Sequence, residues 1–364
     1  MSIQEEIKEV QEEIKNTPYN KATSHHIGRL KAKLARLRDE AERKESSKSK
    51  GGGYSVKRSG DATVSLVGFP SVGKSTLLNK LTGAQSEVAE YEFTTLEVIP
   101  GVLEYKSAKI QMLDVPGLVK GAASGRGRGK EVISVIRNSH LVVFVLDVFQ
   151  TSQYDVLKQE LYDAGVRINE NPPDVTIKRM DRGGIIVDST VDLDSLSVDT
   201  IKAVLGEYKI HNAHVLIREN ITVDQLIDAV LENRVYIPGV PIINKVDMAD
   251  EGTLEYCVQN YPEAIMISAD RDMNLESVKE GIFSSIDFIR VYMKPQGEPA
   301  DLQEPMIIRK DSTVGDVCER LHRDFKKKFR YARIWGSSAK HPGQRAGRDH
   351  VLHDKDILSL IIQK

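Results

Sequence analysis

The sequence has little cysteine: Cys257 and Cys318 are all it carries. Two such residues far apart make neither a disulfide framework nor a metal cluster, so a reducing compartment is the simplest reading. No apolar run approaches the roughly 18 residues of a membrane span, which points away from a membrane partner. The opening residues, MSIQEEIKEV, are charged and lack the apolar core of a secretion signal. Charge of one sign is missing too: 51 Lys and Arg face 53 Asp and Glu, a net −2. A chain so balanced has no global electrostatic footprint for nucleic acid, and any basic surface must be local. These absences predict a soluble, cytoplasmic protein. What is present is a chain of 364 residues, 40% hydrophobic, long enough for two or three domains with cores of their own.

Apolar residues first recur at helical spacing. Ile3, Ile7, Val10 and Ile14 keep the rhythm, Pro18 interrupts it, and Ile27, Leu30, Leu34, Leu37 and Ala41 resume it. A helical hairpin over residues 1–50 is expected. Its second helix carries Arg29, Lys31, Lys33, Arg36 and Arg38, which read either as a solvated face or as an RNA contact. Residues 46–53, SSKSKGGG, have linker composition. From Asp61 onward, short apolar strands alternate with helical stretches, the mark of a doubly wound sheet. The interval from Asp147 to Asn244 is about three times the roughly 30 residues that one helical crossover needs. Residues 172–235 are therefore expected to form an inserted α+β subdomain, with the main domain over 61–171 and 236–290. Residues 291–364 should form a compact β-rich fold with one helix from Val314 to Phe325.

Gly68-Phe69-Pro70-Ser71-Val72-Gly73-Lys74-Ser75 matches G-x-x-x-x-G-K-[ST] between a predicted strand and a predicted helix. Glycines let backbone N–H groups turn inward around phosphates, and the helix N-terminus adds its positive end. Lys74 would reach the β- and γ-phosphates, Ser75 would ligate Mg²⁺, and Thr76 would complete the phosphate contacts. Asp114-Val115-Pro116-Gly117 follows the next strand. Asp114 could hold the Mg²⁺ shell, and the Gly117 N–H could sense the γ-phosphate. Asn244-Lys245-Val246-Asp247 ends a later strand. An aspartate there can accept two hydrogen bonds from guanine, which adenine cannot offer. Asn244 and Lys245 would buttress that loop, and Ser268-Ala269 would back the guanine carbonyl. Thr94 and Thr95 lie where a threonine can join the Mg²⁺ shell when GTP is bound. The four loops in this order predict a GTP- and GDP-binding site, and Asp247 argues against an ATPase of the same fold. His341, His350 and His353 lack the ligand spacing of a metal site.

Residues 68–75, Tyr91-Glu92-Phe93-Thr94-Thr95-Leu96, Asp114–Gly117 and Gly125-Arg126-Gly127-Arg128-Gly129-Lys130 together resemble the developmentally regulated GTP-binding proteins, a branch of the Obg-like GTPases. An archaeal member is the nearer likeness. Residues 20–26 and 30–35 resemble that family's N-terminal helical module. Residues 339–341 and 350–357 resemble its C-terminal TGS domain, a β-grasp fold. The resemblance selects Thr95 over Thr94 as the Mg²⁺ ligand. It implies ribosome association, contact with rRNA or tRNA, a role in translation and a stabilising partner protein.

Many GTPases place a glutamine directly after D-x-x-G to orient the attacking water. Here that residue is Leu118, which can neither donate nor accept a hydrogen bond. Slow intrinsic hydrolysis is expected, with the water placed by a backbone group, a bound cation or a partner. Some relatives use K⁺ and carry asparagine where this chain has Ser71, so potassium stays open. Arg126, Arg128 and Lys130 read either as an internal cation at the γ-phosphate or as solvated charge. Lys326–Lys328, Arg330, Arg333, Lys340, Arg345 and Arg348, with Tyr331 and Trp335 among them, suit RNA backbone contact and stacking. The leading expectation is a ribosome-associated GTPase. Its rival is a GTP-sensing RNA or ribosome scaffold whose hydrolysis is incidental.

Overall fold

The computed structural model describes residues 3–18, 20, 23–46, 60–82, 89–90, 97–116, 129–194, 196–303, 305–321 and 323–363. The chain divides into two compact units, Met1–Gly53 with Gly165–Tyr236, and Tyr54–Ala164 with Ile237–Lys364. No helix among the described residues is long and apolar enough to cross a membrane.

The first unit joins the N-terminal helices to the insert. Helices Ile3–Asn16 and Ser24–Ser46 pack through Ile7, Val10, Leu30 and Leu37, the residues of the apolar rhythm. The second helix turns a different face, with Ala32 and Ala35, into the core of the insert. Small residues let helices approach there: a Cβ on Gly28 would lie 2.8 Å from Thr200 Cγ2. The insert is a three-stranded sheet in the order Val175–Arg179, Ala213–Ile217, Ile185–Ser189, with helices Val198–Glu207 and Val223–Leu231. Both helices begin on strong caps. Ser197 Oγ accepts from Thr200 N at 3.1 Å, and Thr222 with Gln225 forms a reciprocal capping box.

A buried charge group ties the end of this unit together. Arg167 donates from Nε and Nη2 to the two Asp228 oxygens at 2.6 and 2.8 Å, and both side chains are 3% exposed. Arg234 Nε donates to the same carboxylate at 2.9 Å. Two cations on one carboxylate repay its desolvation only while all three are present.

The second unit holds the seven-stranded sheet. Its order is Ile265–Met266, Gly239–Asn244, Leu141–Asp147, Ala62–Val67, Ala108–Asp114, Glu97–Tyr105, Ala89–Glu90. The first five strands run parallel, and Glu97–Tyr105 then pairs antiparallel. Strands covered on both faces need continuous apolar runs, and every residue of Ala62–Val67 and Gly239–Asn244 is buried. Chain order reverses direction across the sheet at Ala62–Val67. Such a switch point leaves a crevice at the carboxyl ends of the strands, where ligands bind.

The C-terminal part of this unit is a five-stranded sheet, ordered Met306–Arg309, Phe288–Met293, Asp356–Ile362, Phe329–Trp335, Gln344–Ala346. Within the span expected as one helix, Val314 to Phe325, the described residues form the helices Val314–Leu321 and Arg323–Lys328, and His322 between them lies outside the described residues. Phe325 and Phe329 both pack against the domain core, while Leu321 stays exposed. This sheet is docked on the larger one. Ile307 and Phe288 join the larger sheet's core, and Arg320 pairs with Asp61. Asp61 also accepts from Lys109 N at 2.7 Å. Cys257 and Cys318 are both buried free thiols.

Asp228→Ala should lower the stability of the first unit by about 3–5 kcal/mol, because it strands Arg167 in the interior. Urea unfolding followed by circular dichroism measures this. A loss below about 1 kcal/mol would mean the charge group is solvated and dispensable.

Candidate functional site

The strand Ala62–Val67 runs into a loop that only glycine could follow. A Cβ on Gly68 would sit 2.4 Å from the Val145 carbonyl oxygen. Gly73 has φ +97°, and a Cβ there would lie 2.3 Å from Asn244 Nδ2. Ser71 takes the left-handed region without being glycine, at φ 65°. The helix Lys74–Thr82 starts directly after this loop and points its N-terminus at the crevice. Lys74 folds back over the loop, donating from Nζ to the carbonyls of Gly68 at 3.2 Å and Phe69 at 3.1 Å. Burial pushes the Lys74 ammonium below its usual range, and the nearby Asp114 charge opposes that push.

Ser75 Oγ donates to the Asp114 carboxylate. Burial holds the Asp114 carboxyl above its usual range, against the Ser75 hydrogen bond and the Lys74 charge. A hydroxyl at a helix start and a carboxylate at a strand end thus meet beside a lysine. These are hard oxygen donors, and the set fits Mg²⁺, which binds through few protein ligands and keeps its waters. Ser75 would ligate the ion, and Asp114 would hold its water shell. Thr95 and Gly117, the other residues expected around the γ-phosphate, lie outside the described residues, as do Thr94, Leu118, Arg126 and Arg128. Lys130 sits in the first turn of the helix Gly129–Arg137.

The other wall is built around Asn244, at the end of its strand and 3% exposed. Its Nδ2 donates to the Val72 carbonyl at 2.9 Å, inside the phosphate loop. Its Oδ1 accepts from Ala269 N at 2.9 Å, and its backbone carbonyl accepts from Val148 N at 3.1 Å. The side chain therefore ties two other loops to its own, and the backbone carbonyl adds a third contact. Lys245 takes φ 67° and donates from Nζ to the Ser71 carbonyl at 2.8 Å and to Asp147 Oδ2 at 2.7 Å. Asp247 is partly exposed, with Arg271 Nε 3.8 Å away. Ser268 is fully buried and accepts from Arg271 N at 3.2 Å.

Residues 68–76, 114, 244, 245, 247, 268 and 269 thus gather at the carboxyl end of one sheet. Asp147 belongs with them, and the sequence reading passed it over. Its Oδ2 holds Lys245, and its Oδ1 accepts from Phe149 N at 2.9 Å. The available signal was a carboxylate ending the wholly apolar run LVVFVL. A charge at that place is held by something on a neighbouring strand end.

Comparison with known proteins places each part. Residues 63–179 match the family model described as 50S ribosome-binding GTPase, residues 182–288 the C-terminal region of that domain, and residues 289–362 the TGS domain. An uncharacterized GTP-binding protein of Methanocaldococcus jannaschii is 55% identical, over 100% of this chain and 94% of its own. Ribosome-interacting GTPase 1 of Saccharomyces cerevisiae is 45% identical, over 98% of each chain. Developmentally-regulated GTP-binding protein 1 of Xenopus laevis is 43% identical, also over 98% of each. With such identity across its whole length, the loops Gly68–Ser75 and Asn244–Asp247 on one sheet edge and a TGS domain in the same unit, this chain is a GTP-binding GTPase and belongs to the developmentally regulated GTP-binding protein family.

Proposed function

We propose that the protein is a slow guanine-nucleotide switch that hydrolyses GTP to GDP and phosphate with Mg²⁺ and acts on the ribosome in the cytoplasm. The observation that carries the nucleotide half is the Asn244 side chain, which clamps the phosphate loop to the two loops that would read the base. Binding the phosphates and binding the base then form one event on one rigid edge. For the ribosomal half, support comes from the name of the yeast relative and from the matched GTPase model.

In this reading Lys74 spans the β- and γ-phosphates, with the N–H groups of residues 71–76 around them. Bound Mg²⁺ would supply charge withdrawal from the phosphate oxygens, held by Ser75 and Thr95 directly and by Asp114 through water. The Gly117 N–H meets the γ-phosphate. Asp247 accepts from the guanine N1–H and amine, Ser268 and Ala269 back its carbonyl, and Lys245 lies along the ring. Asp147 positions Lys245 and reaches the base only through it. Leu118 leaves the attacking water without a side-chain partner, so turnover is slow until something completes the site. A ribosomal group, a protein partner or a potassium ion near Ser71 would do so.

Multiple-turnover GTP hydrolysis with Mg²⁺, run in KCl and in NaCl, with and without purified ribosomes, tests the whole. Ribosomes should raise the rate by about tenfold or more, and a faster reaction in KCl than in NaCl would assign part of the missing charge to potassium. A fast rate for the protein alone, or no response to ribosomes, overturns the proposal.

Asp247→Asn replaces an acceptor pair by one donor and one acceptor. It should weaken GTP binding by about 100-fold or more and accept xanthine nucleotides instead, since xanthine offers a carbonyl where guanine offers an amine. Competition against a fluorescent guanine nucleotide measures both. Asp147→Asn should speed GDP release about tenfold by loosening Lys245. Adding Asp147→Asn to Lys245→Ala should then change little further, whereas additive effects would show that the two do not act as a pair.

A further inference from the structure

Lys74, Asp114, Asp147, Asn244 and Lys245 are each hydrogen-bonded to another part of the chain. Asp247 differs. Among the described residues its carboxylate accepts no hydrogen bond, and its one charged neighbour is Arg271, with Nε 3.8 Å from Oδ2. The carboxylate is partly sheltered, with 21% of the side chain exposed. An ionised carboxylate offers about four acceptor positions, and here they are all open.

Arg271 has little packing to account for its place, because its side chain is 72% exposed. Its backbone, by contrast, is held from three sides. Ser268 and Met273 pair across the turn, and Met273 N donates to the Ser268 carbonyl at 2.9 Å. Arg271 N donates to Ser268 Oγ at 3.2 Å. Lys80, on the helix that begins at the phosphate loop, donates from Nζ to the adjacent Asp272 carboxylate at 2.9 Å. A fixed turn therefore carries a free cation to the side of Asp247.

The distance decides what that cation does. An arginine bonded to the carboxylate at about 2.8 Å would fill oxygen positions that a base needs, and would be its rival. At 3.8 Å there is no hydrogen bond to displace, and the guanidinium acts on the carboxylate as a charge. A carboxylate that receives a base loses water, which is costly for a charged group. A cation held beside it offsets part of that cost, and more so once the base has excluded water.

We propose that Arg271 is a positioning residue for base selection, which aims the Asp247 carboxylate at the base and compensates its loss of water. It acts through Asp247 and not on the nucleotide, so the inference rests on the guanine reading of Asp247 given above.

The full-length protein with Mg²⁺ would be loaded with a fluorescent guanine nucleotide and titrated with unlabelled GDP and IDP. Inosine lacks the 2-amine, so it offers Asp247 one N–H donor where guanine offers two. Arg271→Ala should weaken GDP about fivefold and IDP by less, which narrows the preference for guanine. Arg271→Lys should recover most of the loss, since a contact at this distance depends on charge and not on the guanidinium fork. In the Asp247→Asn background, followed with XDP, Arg271→Ala should change nothing, because an amide has no charge to hold. Unchanged GDP affinity in Arg271→Ala overturns the proposal, and so do equal losses for GDP and IDP or the same loss in the Asn background. Tighter GDP binding would make Arg271 a rival of the base and overturns it too. The two readings fail differently. If Asp247→Asn leaves the guanine preference intact, the guanine reading falls and takes this inference with it. If Asp247→Asn switches the preference to xanthine while Arg271→Ala is silent, only this inference falls.

Discussion

The nucleotide edge depends on one buried amide. Asn244 needs a partner for its donor and its acceptor, because a buried polar group left unpaired costs about 1–3 kcal/mol. It finds them in the Val72 carbonyl and the Ala269 N–H, which lie in different loops. Loop positions that would otherwise vary independently are thereby linked. Gly73 is the other half of this arrangement, since any side chain there would occupy the space of the Asn244 amide. Lys245 adds a second tie between the same loops, and Asp147 holds that lysine in place. A charged donor and acceptor pair of this kind, sheltered at a strand end, gives direction as well as attraction.

The sheet makes the amide's position possible. Asn244 ends a strand that pairs with Leu141–Asp147, which in turn pairs with Ala62–Val67. Three adjacent parallel strands thus deliver Asn244, Asp147 and the phosphate loop to the same edge. Parallel strands need long connections, and the long connection between Asp147 and Asn244 is where the insert enters. Inserting residues there leaves both strand ends where the site requires them. The electrostatics at the other wall have the same economy. Lys74 and Asp114 are both buried, and each moderates the effect of burial on the other.

Most of this edge was legible in the sequence because its motifs are local. Residues 68–75 and 244–247 each carry their chemistry within a few positions, and each follows an apolar run that could only be a buried strand. Asp147 was not legible in the same way. Its importance comes from Lys245 on a neighbouring strand, and strand order cannot be read from a single run. The union of the N-terminal helices with the insert was hidden for a related reason. The apolar stripe of helix Ser24–Ser46 faces helix Ile3–Asn16, while the face that meets the insert is made of Ala32, Ala35 and the small Gly28. Small residues give little hydrophobic signal, yet they permit the closest backbone approach.

The docking of the C-terminal sheet limits what it can contribute to a switch. Asp61 precedes the strand whose far end opens into the phosphate loop, and it holds both Arg320 and the Lys109 N–H. Ile307 and Phe288 share the core of the larger sheet. The C-terminal sheet therefore belongs to the same compact unit as the edge where these loops gather. Allosteric coupling requires an element with two states whose balance both sites bias. Coupling by this route would need a second packing for Ile307 and Phe288 or a second partner for Arg320.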